Sequence, residues 1–443
     1  MSPVHKARDT TTRHHANANR RRPSLSLRRR SRYAAFDRAL AAGTSTMHAR
    51  TLDVFPWLSL VATALTVIIA GAARGRFYAV FVGFLLTIHS LVATTLARHV
   101  GALLPAYGVL HALVFINFLM LARPALRPAW YRATVSVPAS YFAASTFLAI
   151  PWAIAAGLGL TPHAFGIPFG LAAMGLVQSL RHRFEERDVA LDGTSTDRLA
   201  RHPHGETRVA RPLRVVQLTD PHLGPFMSEA RLRRIAERAV KADPDIVLLT
   251  GDFLTMESHG ARVALARGLA PLAALKGRVF ACRGNHDHEA PDTVADALAD
   301  IGATLLIDDA RTLETEAGPV QIVGIDFHFR ERARKTIAAC EKHPRIEGAL
   351  RIVMLHDPGA FVHVPDGEAD LVFSGHTHGG QLGLVGIGLP YTVVSAFSKV
   401  PDHGLWALGR NRLYVHRGTG HYGFPLRIGV PGEESLVRVH RHG

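Results

Sequence analysis

Cysteine is scarce in this sequence of 443 residues, which contains only Cys282 and Cys340. Two cysteines without a CxxC spacing imply no disulfide framework, and we interpret both as small buried residues. A site for a soft metal ion needs several thiolate ligands, so such a site is excluded. Any metal that this chain binds must therefore be held by nitrogen and oxygen atoms.

Carboxylates and lysines are absent from the long apolar stretches that lie between residues 55 and 180. Segment 164–180 is a weaker candidate for a membrane span, and four other stretches have full spanning length, namely 55–73, 77–97, 103–122 and 138–160. We predict an all-α transmembrane bundle of four or five spans over 51–180, in an integral multi-pass membrane protein. Because no span contains Asp, Glu or Lys, a transporter with an ion or proton pathway is disfavoured.

Aromatic residues are rare in the first 50 residues, which carry twelve Lys or Arg against Asp9 and Asp37. This segment supplies most of the formal net charge of +15. It has no hydrophobic period, and we predict a disordered basic tail over 1–50, unless translation starts at Met47. A nucleic-acid-binding segment is expected to add aromatic residues or a recognisable reading module to its charge. We therefore expect no nucleic-acid partner.

Arginines are unevenly distributed around the predicted spans. Two arginines lie in the first loop, one in the second, three in the third and none in the fourth, and three follow the fifth segment closely. Cytoplasmic loops carry an excess of Arg and Lys, so we predict that the C-terminal domain lies on the cytoplasmic face of the cell or inner membrane. This orientation requires four spans with the tail inside, or five spans with a start at Met47. Five spans with the tail inside would put the domain outside.

Five short apolar or β-branched runs in the C-terminal half each end in residues that bind hard or borderline divalent metals. The runs are LRVVQLT before Asp220 and His222, DIVLLT before Asp252, GRVFACR before Asn285, His286 and Asp287, RIVML before His356, and ADLVF before His376 and His378. Such runs are typical of buried strands. Because open α/β sheets assemble their sites at the carboxyl ends of strands, the five clusters can meet at one place.

Helical patterns such as that of 228–242 alternate with these runs. Alternating strands and helices predict a layered α/β domain, which we place at 213–443. Residues 181–212 are rich in Arg, His, Asp and Gly, and we interpret them as a polar linker between the bundle and this domain.

The clusters supply ligands for two divalent ions that share one carboxylate, for which Asp252 is the natural choice. We assign Asp220, His222 and His378 to one ion, and Asn285, His356 and His376 to the other. Two such ions lower the pKa of a bridging water and clamp the oxygens of a phosphoryl group during in-line attack.

His286 is not needed as a ligand. Beside the site it could protonate the leaving oxygen, a contribution of roughly 10² to 10⁴ in rate for a general acid. Asp287 could hold its imidazole in the required tautomer.

In chain order, DPH, GD, GNHD, a histidine after a strand and GHTHGGQ resemble the five signature motifs of the calcineurin-like metallophosphoesterases. The closing segment LYVHRGTGHYGFPLRIGVPGEESLVRV is similar to the C-terminal end of the membrane-associated branch of that superfamily. The resemblance covers 213 to about 440. It implies a four-layer α/β-β/α sandwich, a dinuclear centre of Mn, Fe or Zn, and hydrolysis of phosphate mono- or diesters. Pro221 stands where the family more often has Leu.

Two unusually apolar loops, 223–227 and 382–391, follow metal-binding motifs. They could rest in the lipid interface, or pack on the bundle or on the domain itself. Together with the membrane anchor they predict that a metal-bridging hydroxide attacks a phosphodiester or pyrophosphate of a phospholipid or nucleotide-linked lipid such as UDP-diacylglucosamine. The alternative is a membrane sensor or scaffold whose domain binds metal without hydrolysis.

Overall fold

The computed structural model describes residues 51–203, 205 and 208–441. The predicted basic tail, 1–50, lies outside the described residues. Residues Leu58–Gly443 form one unit, so the apolar helices and the C-terminal sheets can be described together.

The N-terminal part of the described chain is helical. Three helices are long and apolar enough to cross a membrane, namely α1 (Thr51–Arg74), α2 (Arg76–Leu96) and α3 (Leu104–Leu121). Helix α4 (Ala129–Leu148) is followed by α5 (Ile150–Gly157) after a bend of 55°, so this pair is a broken span or a re-entrant loop.

The fifth predicted span forms helix α6 (Ile167–Ser179). Its 13 residues reach only about 20 Å at 1.5 Å per residue, whereas a bilayer core is about 30 Å thick. Among the described residues, three helices, or four if the bent pair counts as one, are therefore long and apolar enough to span a membrane, and the count of four or five spans remains a prediction.

Two histidines that lie inside the predicted spans are hydrogen-bonded within the bundle. His111 Nδ1 lies 3.0 Å from His89 Nε2, and His111 Nε2 lies 3.0 Å from the Ser59 hydroxyl. His89 Nδ1 in turn lies 2.8 Å from the Thr146 hydroxyl. The two imidazoles thus connect α1, α2, α3 and α4, which is a structural role, as polar groups inside an apolar bundle need partners.

The C-terminal domain contains two β-sheets. The first has the strand order β1 (His182–Ala190), β13 (Gly432–His440), β3 (Leu213–Leu218), β4 (Ile246–Leu249), β5 (Val279–Ala281) and β6 (Thr304–Leu305). The second has the order β2 (Thr196–Arg201), β11 (Gly404–Gly409), β12 (Asn411–Val415), β10 (Leu371–Ser374), β9 (Leu350–Leu355), β8 (Gly318–Ile325) and β7 (Asp309–Thr315). Strands β3 to β6 pair in parallel, as do β8, β9, β10 and β12.

Alternate residues of the central strands face alternate layers, because side chains of a strand point to opposite sides in turn. Ile246 and Leu248 of β4 face the second sheet and pack with Ile352 and Phe373, whereas Val247 and Leu249 face helices. The helices on that side are α7 (Glu229–Lys241), α8 (Arg262–Leu269) and α9 (Pro291–Asp300), and α10 (Arg332–Lys342) covers the second sheet. The predicted four-layer α/β-β/α sandwich behind a helical bundle is confirmed.

The predicted linker at 181–212 contains two strands instead. Strand β1 pairs in parallel with β13, and β2 pairs antiparallel with β11, so each extends the edge of one sheet. Their sequences, HRFEERDVA and TDRLAR, are dominated by charged residues. Charged side chains protect edge strands from pairing with other chains, and this composition hides strands from a search for apolar runs.

Candidate active site

The predicted metal ligands lie in loops that leave the carboxyl ends of five strands. The first sheet contributes Asp220 and His222 after β3, Asp252 after β4 and Asn285 after β5, and the second contributes His356 after β9 and His376 and His378 after β10. The parallel arrangement brings these strand ends to one edge of the sandwich. The clusters meet across two sheets, rather than at one open sheet.

Six of the seven predicted ligands form two groups that could each hold a metal ion. Within each group the candidate ligand atoms lie within 4.8 Å of one another, and the groups are Asp220, His222 and His378, and Asp252, His356 and His376. The groups adjoin, because Asp252 Oδ2 lies 3.7 Å from His222 Nε2 and 3.1 Å from His356 Nε2. The carboxylate of Asp252 therefore stands between them.

The backbone is strained at most of the predicted ligands, which have left-handed conformations. Five of these residues have positive φ angles of 47° to 69°, namely Asp220, His222, Asp252, His376 and His378. Residues other than glycine in this region cost about 1–3 kcal/mol each and persist where the surrounding structure imposes them. Hydrogen bonds between the loops impose it here, since Asp220 N–H donates to Gly251 O and His222 N–H donates to Asp252 O.

Two buried atoms of the predicted ligands lack hydrogen-bond partners, as expected if they bind a cation. Among the described residues, His222 Nε2 and Asn285 Oδ1 are buried without any hydrogen-bond partner, a state that costs about 1–3 kcal/mol for each group. The opposite ring nitrogen of His222 is satisfied, because Nδ1 lies 3.1 Å from the carbonyl oxygen of Leu254. His356 Nδ1 likewise lies 2.7 Å from the carbonyl oxygen of Thr250. Such backbone contacts orient the remaining nitrogen of a ligating imidazole.

The electrostatics of the site favour a positive ion. Burial lowers the pKa of His222 to about 3 and the pKa of His378 well below its usual value, so both imidazoles are neutral and can ligate at pH 7. Burial also opposes a charge on His356, but the carboxylates of Asp252 and Asp220 outweigh it and raise its pKa to about 10. The two buried carboxylates thus attract positive charge to the position between the groups.

We predicted Asp287 as the partner of the His286 ring, but in the structure the ring contacts Glu289. Asp287 is fully buried, and its carboxylate accepts hydrogen bonds from the backbone N–H groups of Asp252, Phe253 and Gly284 at 2.7–2.8 Å. It ties the loop after β4 to the loop after β5. These three backbone donors hold Asp287 in a bridging position between the loops, and its predicted role in orienting His286 remains a prediction.

Glu289 is the carboxylate that contacts the His286 ring. Its carboxylate oxygen lies 3.0 Å from His286 Nδ1. The His286 ring stacks on Tyr422 with centroids 4.1 Å apart, and its centroid is 5.5 Å from that of His222. Glu289 belongs to none of the motifs named above, and Tyr422 lies in the closing segment, for which the sequence predicted no role in the site.

His416 and His421, in the closing segment, are buried. The ring of His421 lies 4.7 Å from that of Phe226. The guanidinium of Arg427, also buried, donates to the carbonyl oxygens of His378 and Gly420. The closing segment of the domain therefore packs against the loop that carries His376 and His378.

A cavity of about 470 Å³ adjoins the ligand groups. On one side it is lined by bundle residues, which are Phe81, Leu85, Val114, Asn117, Phe118, Leu121, Ala139, Ser140 and Ala143. On the other side it is lined by residues of the sandwich, among them His222, Phe226, Glu257, Gln381, His421 and Tyr422. The cavity thus connects the apolar helices with a predicted metal ligand.

The two apolar loops have different environments. In 223–227, Leu223 and Met227 are buried in the core, so this loop packs on the domain. In the second loop and the short helix α11 (Val393–Phe397) that follows it, several apolar side chains are exposed, among them Ile387, Tyr391 and Phe397. Only the second loop therefore offers an apolar surface.

Two facing sheets whose strand ends carry two adjoining sets of nitrogen and oxygen ligands define a metal-dependent hydrolase of phosphoric esters. The family model for calcineurin-like phosphoesterases matches residues 213–380. The chain belongs to this family, which confirms the resemblance of its motifs.

Three relatives illustrate the range of the family. Phosphodiesterase YaeI of Escherichia coli is 30% identical over 235 residues, which are 52% of this chain and 83% of that protein. A transmembrane protein with metallophosphoesterase domain from Danio rerio is 29% identical over 239 residues, 51% of this chain and 52% of its own. The UDP-2,3-diacylglucosamine pyrophosphatase LpxG of Chlamydia muridarum is 26% identical over 289 residues, 54% of this chain and 84% of its own.

The close approach of two loops at Gly284 generates a prediction. A Cβ atom there would lie 2.2 Å from Asp252 Oδ1 and 2.7 Å from its backbone nitrogen, so Gly284→Ala must displace the carboxylate between the ligand groups. We expect the variant to lose most of its bound metal, measured by elemental analysis after loading with Mn²⁺. Gly260→Ala is the matched control, because a Cβ there meets nothing within 4 Å. Full metal content in Gly284→Ala would contradict the assigned geometry.

Proposed function

We propose that this protein hydrolyses a phosphodiester or pyrophosphate bond in a substrate that carries an acyl chain, at the surface of the membrane that holds its helices. The observation that carries the proposal is the cavity of about 470 Å³ between the bundle and the ligand groups. A phospholipid, or a nucleotide-linked lipid such as UDP-diacylglucosamine, combines an apolar chain with a phosphate in the way that such a site requires.

We infer that two divalent ions, Mn, Fe or Zn, complete the site. One would be held by Asp220, His222 and His378, the other by Asn285, His356 and His376, with Asp252 shared between them. When bound, two such ions activate a water molecule and neutralise the charge of a phosphoryl group during in-line displacement. The chain contributes the neutral imidazoles of His222 and His378, buried carboxylates and loops that hold these groups in place before a substrate arrives.

His286 is the proposed proton donor to the leaving oxygen. Its backbone N–H donates to Asp252 Oδ1 at 2.9 Å, which keeps the residue beside the shared ligand. Glu289 and Tyr422 hold its ring on two sides. A positioned general acid contributes roughly 10² to 10⁴ in rate, and most when the leaving group is a poor one.

The apolar side of the cavity suits an alkyl chain. Taking a chain out of a membrane into water would cost about 0.8 kcal/mol for each methylene. A chain that moves from the bilayer into a cavity lined by helices α2, α3 and α4 stays in apolar surroundings and avoids this cost. The headgroup could then reach the metal ligands while the chain remains at the bundle.

The positions of several arginines support a cytoplasmic domain. Arg74, at the end of α1, approaches His259 of the sandwich, the backbone N–H of Arg127 donates to Glu257, and Arg132 approaches the carbonyl oxygen of Gly224. These basic residues are therefore on the side of the bundle that faces the catalytic domain. By the preference of Arg for cytoplasmic loops, we propose that this side is the cytoplasm.

Hydrolysis itself is tested with detergent-solubilised full-length protein, Mn²⁺ and bis-p-nitrophenyl phosphate. We expect Asp252→Asn to reduce kcat/KM by a factor of at least about 10², since it weakens both ions at once. No activity of the wild-type protein with Mn, Fe or Zn, despite two bound ions and an intact fold, would favour the sensor or scaffold alternative instead.

The acyl-chain cavity is tested by filling it. Ser140, on α4, lines the cavity, and we expect Ser140→Trp to lower kcat/KM for a diacylated phosphodiester in mixed micelles much more than for bis-p-nitrophenyl phosphate. Val109→Trp is the control, because Val109 is 61% exposed on α3 and points away from the bundle core. Equal losses for both substrates in Ser140→Trp would contradict a lipid-binding role of the cavity.

A further inference from the structure

Arg74 is the last residue of the transmembrane helix α1, and its guanidinium joins three parts of the molecule. One nitrogen lies 3.1 Å from the carbonyl oxygen of Leu121, at the end of α3, and 3.5 Å from that of Met256. The other nitrogen lies 3.1 Å from His259 Nδ1. The aromatic ring of Tyr78 lies 5.1 Å from the guanidinium carbon. Arg74 is therefore fixed by the bundle and presented to the loop that follows Asp252.

The contacts continue from His259 to the active site. His259 Nε2 lies 3.5 Å from one carboxylate oxygen of Glu289, and the other carboxylate oxygen lies 3.0 Å from His286 Nδ1. The Glu289 side chain is 41% exposed, so without neighbours it would be free to rotate in solvent. The hydrogen bond with His286 and the charge contact with His259, whose Nε2 makes no hydrogen bond, favour the position between the two imidazoles.

The series of contacts from Arg74 ends at the His286 ring, which lies next to the ligand groups. The stacked ring of Tyr422 fixes the plane of the His286 ring, and the backbone bond to Asp252 fixes its place in the loop, so a half-turn flip of the ring is the main freedom left. The contact with Glu289 fixes that rotation. An unbroken series of contacts thus leads from a transmembrane helix to the imidazole beside the predicted ions.

We propose that Arg74, His259 and Glu289 are positioning residues, which hold the His286 imidazole in the orientation that delivers a proton to the leaving oxygen. The inference rests on the proposed hydrolysis. In that reaction the bond from phosphorus to the leaving oxygen breaks, its electron pair stays on that oxygen, and the oxygen takes a proton from His286. Water supplies the hydroxyl group that phosphorus gains and the proton that restores His286, so one water molecule is consumed in each turnover.

Arg74 couples the two parts of the protein in this arrangement. Arg74 is at the end of α1 and contacts the end of α3, and both helices belong to the bundle. The orientation of His286 therefore depends on the correct assembly of α1 and α3. The catalytic domain of this chain would be fully competent only when it is attached to its own bundle.

The competing explanation is that Arg74 only fastens the bundle to the sandwich. A fastening residue would affect all substrates equally through folding or stability. A residue that orients a proton donor affects only substrates whose leaving group needs the proton. Two substrates with different leaving groups separate the two explanations.

The experiment compares bis-p-nitrophenyl phosphate, whose leaving group departs without a proton, with diphenyl phosphate, whose leaving group is much more basic. The variants are Arg74→Gln and Glu289→Gln in the full-length protein with Mn²⁺. We expect kcat/KM for diphenyl phosphate to fall about 10- to 100-fold, the usual loss when a residue that orients a functional group is removed. The value for bis-p-nitrophenyl phosphate should change much less, and His286→Gln should show the same selectivity more strongly.

Arg76→Gln is the matched control. Arg76 follows Arg74 by two residues, and its guanidinium lies over the ring of Phe77 at 5.5 Å. We expect it to leave both activities unchanged. If Arg74→Gln fails to fold, judged by its melting temperature and metal content, the exposed Glu289 still provides the test.

Equal losses for both substrates in Glu289→Gln, or no loss for either, would overturn the proposed positioning role. Selective loss in Glu289→Gln together with no effect in a folded Arg74→Gln would overturn the coupling to the bundle. An inactive wild-type protein would instead refute the proposed hydrolysis, so the two failures are distinguishable.

Discussion

The rest of the site depends on the burial of two carboxylates next to the same imidazole. His356 Nε2 lies 3.1 Å from Asp252 and 3.8 Å from Asp220, and both carboxylates are almost inaccessible to solvent. An uncompensated buried carboxylate costs several kcal/mol. Two bound cations would remove that cost, and they would also account for the unpartnered atoms of His222 and Asn285. Parallel pairing of β3 with β4 and of β10 with β9 holds the ends of these strands in register. The loops that follow are thereby held in place, and the ligand residues keep their left-handed backbone.

The second feature that shapes the molecule is the direct contact between the bundle and the edge that carries the ligands. The helices are not a distant anchor. They contribute one wall of the cavity beside His222, and their ends contact the loops that follow Asp220 and Asp252. This contact is the reason for our proposal that a lipid in the same bilayer presents its phosphate to the ligands.

Much of this arrangement could be predicted from the sequence, because the informative signals are local. An apolar run followed by Asp220 and His222 predicts both a strand and the position of its ligands. The rest depends on contacts between distant residues. Strand β1 pairs with a strand about 250 residues later, and its charged sequence gave no local sign of this. Asp287 lies next to His286 in the chain, yet backbone groups from the neighbouring loop bind it. The bend after α4 likewise makes spans harder to count from hydropathy alone.

The central claim is that the two adjoining ligand groups hold two metal ions. The most direct measurement is an experimental structure of the full-length protein loaded with Mn²⁺, with anomalous diffraction at the manganese edge to identify the ions. We expect two separate anomalous peaks, one within reach of His222 and His378 and the other within reach of His356 and His376, with Asp252 between them. A single peak, or none, in a protein with an intact fold and intact ligand loops would contradict it.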